Sequence, residues 1–375
     1  MNRWPKRIGG LVLPLLACFA SVAHGEKLPI KTYTTADGLR NNVINKIVRD
    51  SRGFLWFCTN EGLSRFDGYG FTNYGTQQGL PHTVVNDLLE TREGEYWVAS
   101  NGGLVRFNPK GTPSSQVVYG NEAANGREPM FIVVVPEDKD RRARAVTMLF
   151  ESRDGRLWCG TLGGLYLLER TNNRLRLQQV DIGIPNEYPE QRFISDVLEN
   201  QDGSLWIGAA SGLYRRWPDG GAARYTKRDG LPDEYIQDLL KDHQGRLWAA
   251  TRLGGFFGFA GDDEHRLVVA SHFSEKGLPT SWIAQLFESS DRRFWLATDR
   301  GLVEFFPDAK QVGARFHVYT TRNGLSYHGI TALNEDAAGN LWLGNNVGAM
   351  KLDRRNEDHK GETSRSTGGG ADGLR

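Results

Sequence analysis

The sequence predicts an all-β chain: a single seven-bladed β-propeller of four-stranded blades, its ring closed by an N-terminal strand that completes blade 7. Three observations carry that reading. A Trp-bearing segment recurs seven times, at Trp56, Trp97, Trp158, Trp206, Trp248, Trp295 and Trp342, with spacings of 41 to 61 residues. A Gly closes the turn before six of the seven. The same short element, Tyr-Thr-Thr then Gly-Leu, stands at both ends of the array, at Tyr33–Leu39 and Tyr319–Leu325. A period of about 40–50 residues built from several short strands is the mark of propeller blades. The composition agrees. Among 375 residues there are 45 Gly and 10 Trp, a mixture of tight turns and aromatic anchors.

Residues 1–25 read as an export signal. Arg3, Lys6 and Arg7 make a basic start, an apolar run follows from Ile8 to Val22, and small residues stand at Ala23 and Gly25. Leu15-Leu16-Ala17-Cys18 offers a second possibility, a lipid on Cys18. The expected location is periplasmic or extracellular. Beyond the signal only Cys58 and Cys159 remain, each beside a repeat Trp, and they are read as core residues rather than a disulfide. The longest later apolar run, Met130–Val135, is far shorter than a membrane span.

The propeller is expected over residues 29–353. Blade 1 sets the pattern. Val43–Arg49 is strand a, Asp50–Gly53 a turn, Phe54–Cys58 strand b, Asn60–Gly62 a second turn, Leu63–Phe66 strand c and Phe71–Tyr74 strand d. Gly53, Gly94, Gly155, Gly203, Gly245 and Gly339 occupy the a–b turns, where a Gly tolerates positive φ. Blade 6 has Asp291-Arg292-Arg293 instead, which predicts a looser or differently built turn. Each repeat Trp is expected to fill the wedge between neighbouring blades. Residues 120–144 are extra, a loop or an added strand. Blade 7 has strands a to c between Ile330 and Leu352, and the N-terminal strand supplies d. Residues 354–375 contain almost nothing apolar and are expected to be disordered.

Little chemistry is written in the chain. The 46 basic and 45 acidic residues give a formal charge of +1 without a basic stripe, which argues against nucleic acid as a partner. Metal-type Cys/His spacing, a Gly-x-Ser-x-Gly elbow and a phosphate-binding Gly loop are all missing, so no metal, cofactor or catalytic residue is assigned and the chain is not read as an enzyme. The d–a connections are where the repeat varies on a uniform scaffold, and binding residues concentrate on such loops. They place Asn41, Asn42, His82, Tyr235, Trp282, Tyr327 and His328 at the start of the inner strands, around a channel mouth. Flat aromatics beside polar groups suit a sugar ring. The competing reading of each residue is an ordinary loop side chain.

The motif Asp37-Gly38-Leu39, Asn42, Ile44, Ile47, Asp50, Gly53, Leu55-Trp56, Gly62-Leu63, Arg65-Phe66-Asp67, Phe71 and Tyr74 resembles the two-component regulator propeller repeat, found in the extracytoplasmic sensor halves of bacterial hybrid histidine kinases. The resemblance extends from about Pro29 to Leu352. Blade 5 departs with Gly254-Gly255-Phe256 and blade 7 with Gly348-Ala349. It implies a propeller that senses a small molecule or oligosaccharide and passes the signal to a histidine kinase or other output partner. The β-sandwich, membrane helix and kinase usual in the family do not follow in this sequence, so kinase activity is not expected of it. Two other classes stay open: a propeller lyase or glycosidase using Asp233 and Glu234, and a protein-interaction scaffold.

Overall fold

The computed structural model describes residues 27–120, 128–137, 140–171, 174–185, 189–263, 266–273, 277–311 and 314–354. The expected signal, Cys18 and nearly all of the expected tail lie outside them. Seven sheets of four antiparallel strands form the molecule, each in the order a-b-c-d. The inner strands begin at Ile44, Val85, Val146, Ile194, Ile236, Ile283 and Ala332, and each lies against the next around a closed ring. The last sheet joins both ends of the array: Ile30–Tyr33 pairs with Ala349–Leu352, in the register Thr32 opposite Met350. Among the described residues no helix is long and apolar enough to cross a membrane.

Local chemistry explains the repeated text. In the linker Tyr33–Leu39, the Thr34 hydroxyl accepts from the Ala36 N–H at 3.2 Å while the Asp37 carboxylate accepts from the Thr34 N–H at 2.8 Å. This reciprocal cap fixes one short 3₁₀ turn, and Gly38 ends it at φ 96°. Thr226 with Asp229 and Thr320 with Asn323 repeat the device. Leu39, Leu231 and Leu325 then drop into the core.

All seven repeat Trp residues are buried, at 4% exposure or less. Trp56 meets Tyr96 and Phe107 of blade 2, with ring centres 5.6 Å away in each case. Trp342 of blade 7 lies between Tyr33, stacked at 5.1 Å, and Phe57 of blade 1 at 5.6 Å. The wedges between blades are therefore filled by these indoles. Cys58 and Cys159 are buried free thiols.

Two expectations need adjustment. The a–b turn of blade 6 is not looser. Ser289 N–H bonds to Arg293 O and Arg292 N–H to Ser289 O, both at 2.9 Å, as in the Gly turns. Arg292 takes the Gly position with φ 70°, alone among the described non-Gly residues in having positive φ. Within 120–144, Phe131–Val134 is the outer strand of blade 2, paired with Gly103–Phe107. The excursion precedes strand d rather than following a finished blade, and it is held by the bridges Thr112–Pro129 and Tyr119–Val133.

Candidate functional site

The ring has two faces. One carries the d–a linkers and b–c turns, and the other the a–b and c–d turns. At the first face, in blades 1, 2 and 6, the position three before the inner strand closes its own linker. Asn41 Oδ1 accepts from Val43 N–H at 2.8 Å and His82 Nδ1 from Val84 N–H at 3.0 Å, which places the His82 proton on Nε2. Thr280 Oγ1 likewise accepts from Trp282 N–H at 3.1 Å. Asn42 Oδ1 takes the Thr35 N–H at 2.9 Å. Asn41, Asn42 and His82 are thus engaged in holding the loops, with part of their hydrogen-bonding capacity used locally.

The position immediately before the inner strand behaves differently. It holds Tyr235 in blade 5 and Trp282 in blade 6, both half-buried. Phe193, before Ile194, holds it in blade 4, with its ring centre 5.7 Å from that of Tyr235. The Arg252 guanidinium covers the Tyr235 ring at 5.1 Å, and Arg252 N–H donates to Tyr235 O at 3.0 Å. Three successive blades therefore line one arc of the rim with aromatics. Phe193 was hidden in sequence because its linker lacks the Gly-Leu signal, though its place before an Ile-Ser-Asp strand start could have revealed it. In blade 7, Tyr327 is 39% exposed and His328 is exposed, with ring centres 6.4 Å apart. They occupy the two positions before Gly329, the residue that stands where Tyr235 and Trp282 do in blades 5 and 6, one step away from the arc.

Below the rim the inner strands present Lys46, Asp87, Met148, Asp196, Asp238, Gln285 and Ala332 at equivalent positions. Four of these stitch one blade to the next. Asp87, Asp196, Asp238 and Gln285 accept the N–H of Leu149, Leu239, Leu286 and Leu333 at 3.0, 2.9, 2.7 and 2.7 Å. Burial raises the Asp87 carboxyl. Burial also raises Asp196, to about 6, and burial together with the Asp196 charge pushes Asp238 up to about 8. Lys46 offsets part of this. Burial works to discharge it, and the Asp87, Asp238 and Asp196 carboxylates more than reverse that, so it stays protonated. Among the described residues no cluster of His, Cys, Asp and Glu has the geometry of a metal site.

A family model described as "Two component regulator propeller" matches residues 38–61, 79–102 and 230–252. Three of the chain's seven blades match that repeat. The three matched segments run from a linker, through an inner strand, into strand b or just past it, in blades 1, 2 and 5. Among solved structures, the extracellular domain of a hybrid two component system from B. thetaiotaomicron aligns over 87% of this chain and 42% of its own, at 21% identity and TM-score 0.67. The extracellular domain of a one component system from the same organism aligns over 86% and 39%, at 19% and 0.61. Virginiamycin B lyase from Staphylococcus aureus aligns over 87% and 99%, at 14% and 0.61. At such identities these likenesses establish the propeller fold. The chain spans about two fifths of the length of the two sensor domains. No curated protein matches it.

Proposed function

We propose that this regulator-type propeller is a sensor module outside the cytoplasm, that it binds a small carbohydrate-like ligand at the d–a face, and that it relays occupancy to a kinase or other output partner. The observation that carries the binding reading is the aromatic arc of Phe193, Tyr235 and Trp282, with Tyr327 and His328 beside it. Aromatic rings on a rigid rim offer flat apolar area to a sugar face at small entropic cost. The signalling reading is supported by the repeat family and by the extracellular sensor domains that share the fold.

A thermal-shift panel of oligosaccharides on the exported chain tests the ligand class, with turnover measured in the same samples. The expected result is stabilisation by one glycan class without product. In that case the double variant Trp282→Ala, Tyr327→Ala loses affinity at least tenfold. Unchanged affinity removes the rim from the site, and product formation replaces the sensor reading with the lyase or glycosidase one.

A further inference from the structure

Two grooves of matching build open on the a–b turn face, opposite the rim. One lies between blades 1 and 2 and holds about 400 Å³, and the other lies between blades 5 and 6 and holds about 490 Å³. Both form where an a–b turn meets the c–d turn of its own blade and the neighbouring blade's edge. Gly94 of the first corresponds to Arg292 of the second, Tyr96 to Phe294 and Asn108 to Phe306.

At two of these positions blade 6 gives up the residue that stabilises the local turn. Gly94 has φ 82°, a conformation that costs Gly nothing, and Arg292 adopts φ 70° with a side chain attached. Asn108 Oδ1 accepts from Lys110 N–H at 2.9 Å, and Asp67 in blade 1 does the same for Tyr69 N–H at 2.9 Å. Phe306 has no such acceptor, and it is left 41% exposed. Both departures face one cavity, whose floor is the buried Phe294 and Phe305. Breaches of local preference that converge on a cavity mark a site where something other than stability is being served.

Charge narrows the occupant. Arg246 is bonded to Asp242 and, at 3.1 Å, to Asp308. Arg293 pairs with Asp291 at 3.2 Å and lies 3.8 Å from Glu304, which also accepts from Tyr319 OH at 3.1 Å. Glu288 takes the His243 N–H at 2.8 Å and meets its ring. Every carboxylate of the rim is partnered, and among the described residues Arg292 alone of its arginines has no carboxylate partner. An unpaired guanidinium above an aromatic floor fits a molecule that is anionic at one end and apolar at the other.

We propose that the groove between blades 5 and 6 binds a small organic anion with an apolar body, an aryl or medium-chain carboxylate, its carboxylate on Arg292 and its body against Phe294, Phe305 and Phe306. The site is independent of the carbohydrate reading and lies on the other face. Isothermal titration of the whole chain with 4-phenylbutyrate, and with 4-phenylbutanol as the uncharged counterpart, tests it. The carboxylate is expected to bind saturably at one site and the alcohol about tenfold more weakly, the scale of one charge-assisted contact. Arg292→Gly restores the residue of the other blades, so it should raise Tm while weakening the carboxylate about tenfold and leaving the alcohol unchanged. Arg292→Lys should recover part of the loss, and Phe306→Asn should weaken both ligands. Absence of saturable carboxylate binding to the native chain, or equal binding by Arg292→Gly, overturns the proposal.

Discussion

The indole N–H of most repeat Trp residues reaches back to the residue six positions earlier, at the start of the a–b turn. Trp56, Trp248 and Trp342 donate to Asp50, Asp242 and Asp336 at 2.9, 2.9 and 3.0 Å, and Trp158 and Trp295 to the hydroxyls of Ser152 and Ser289 at 3.2 and 3.1 Å. Two depart: Trp97 donates to Glu95, two residues earlier, at 3.4 Å, and the buried Nε1 of Trp206 has no hydrogen-bond partner among the described residues. Trp→Phe at 56 and at 206 removes a similar volume, but only the first breaks a buried bond to a carboxylate. Trp56→Phe should therefore cost about 1–3 kcal/mol more than Trp206→Phe. Paired denaturant titrations check this, and equal losses would mean that the indole bond contributes nothing net. At this scale the sequence was only partly readable. The Trp pattern and the Asp/Ser before it are plain in the repeat. Whether Asn41 or His82 faces a ligand or its own loop is not, because a polar side chain two residues before a free N–H looks the same in both cases.

The elements that repeat most strictly were the ones legible beforehand. Strands a to d of blade 1 follow from alternation, two Gly turns and a buried Trp, and the structure has them within a residue or two of those bounds. The grooves were not legible, because they depend on how one blade's turn meets the next blade's edge, which a single repeat unit does not encode. The inner strands show the same limit. Glu90, Glu151, Glu199, Glu288 and Glu335 each end an inner strand and accept an N–H from the preceding blade's turn, at 2.6 to 2.9 Å. Only the assembled ring gives these carboxylates a role. Asp238 belongs to this system, and its raised carboxyl has a pH signature. The folded chain holds that proton up to about pH 8, while the unfolded chain releases it near the ordinary Asp value of about 4. The unfolded state therefore binds fewer protons between those values, and stability falls as pH rises through that window. Asp238→Asn keeps an acceptor for the Leu286 N–H and removes the titration. Its Tm should equal or trail that of the native chain near pH 4 and overtake it increasingly up to pH 8 to 9. A Tm difference that does not change with pH would show that Asp238 ionises freely in the ring.

Closure is the property of the whole molecule. In an open array of repeats each unit leans only on its neighbours, and damage at one end stays at that end. Here the ends are joined. Tyr33 of the N-terminal strand stacks on Trp342 and meets Phe66 of blade 1 at 5.3 Å, Thr331 Oγ1 donates to Ile44 O at 2.8 Å, and Asn334 donates to Ile47 O at 2.8 Å. The pairing of Ile30–Tyr33 covers the edge that Ala349–Leu352 would otherwise expose. The matching Tyr-Thr-Thr elements at 33–35 and 319–321 made this joint readable in the sequence, since one text serves as strand d and exit linker at two places in the ring. Tyr33→Ala removes a nearly buried aromatic ring and should cost about 3–5 kcal/mol. Because the joint holds blades 1 and 7 together and both hold the ring, the loss should lower the temperature of one calorimetric transition without dividing it. A separate early transition, with the main one left where it was, would show that the seventh blade melts alone and that closure does not couple the blades into a single cooperative unit.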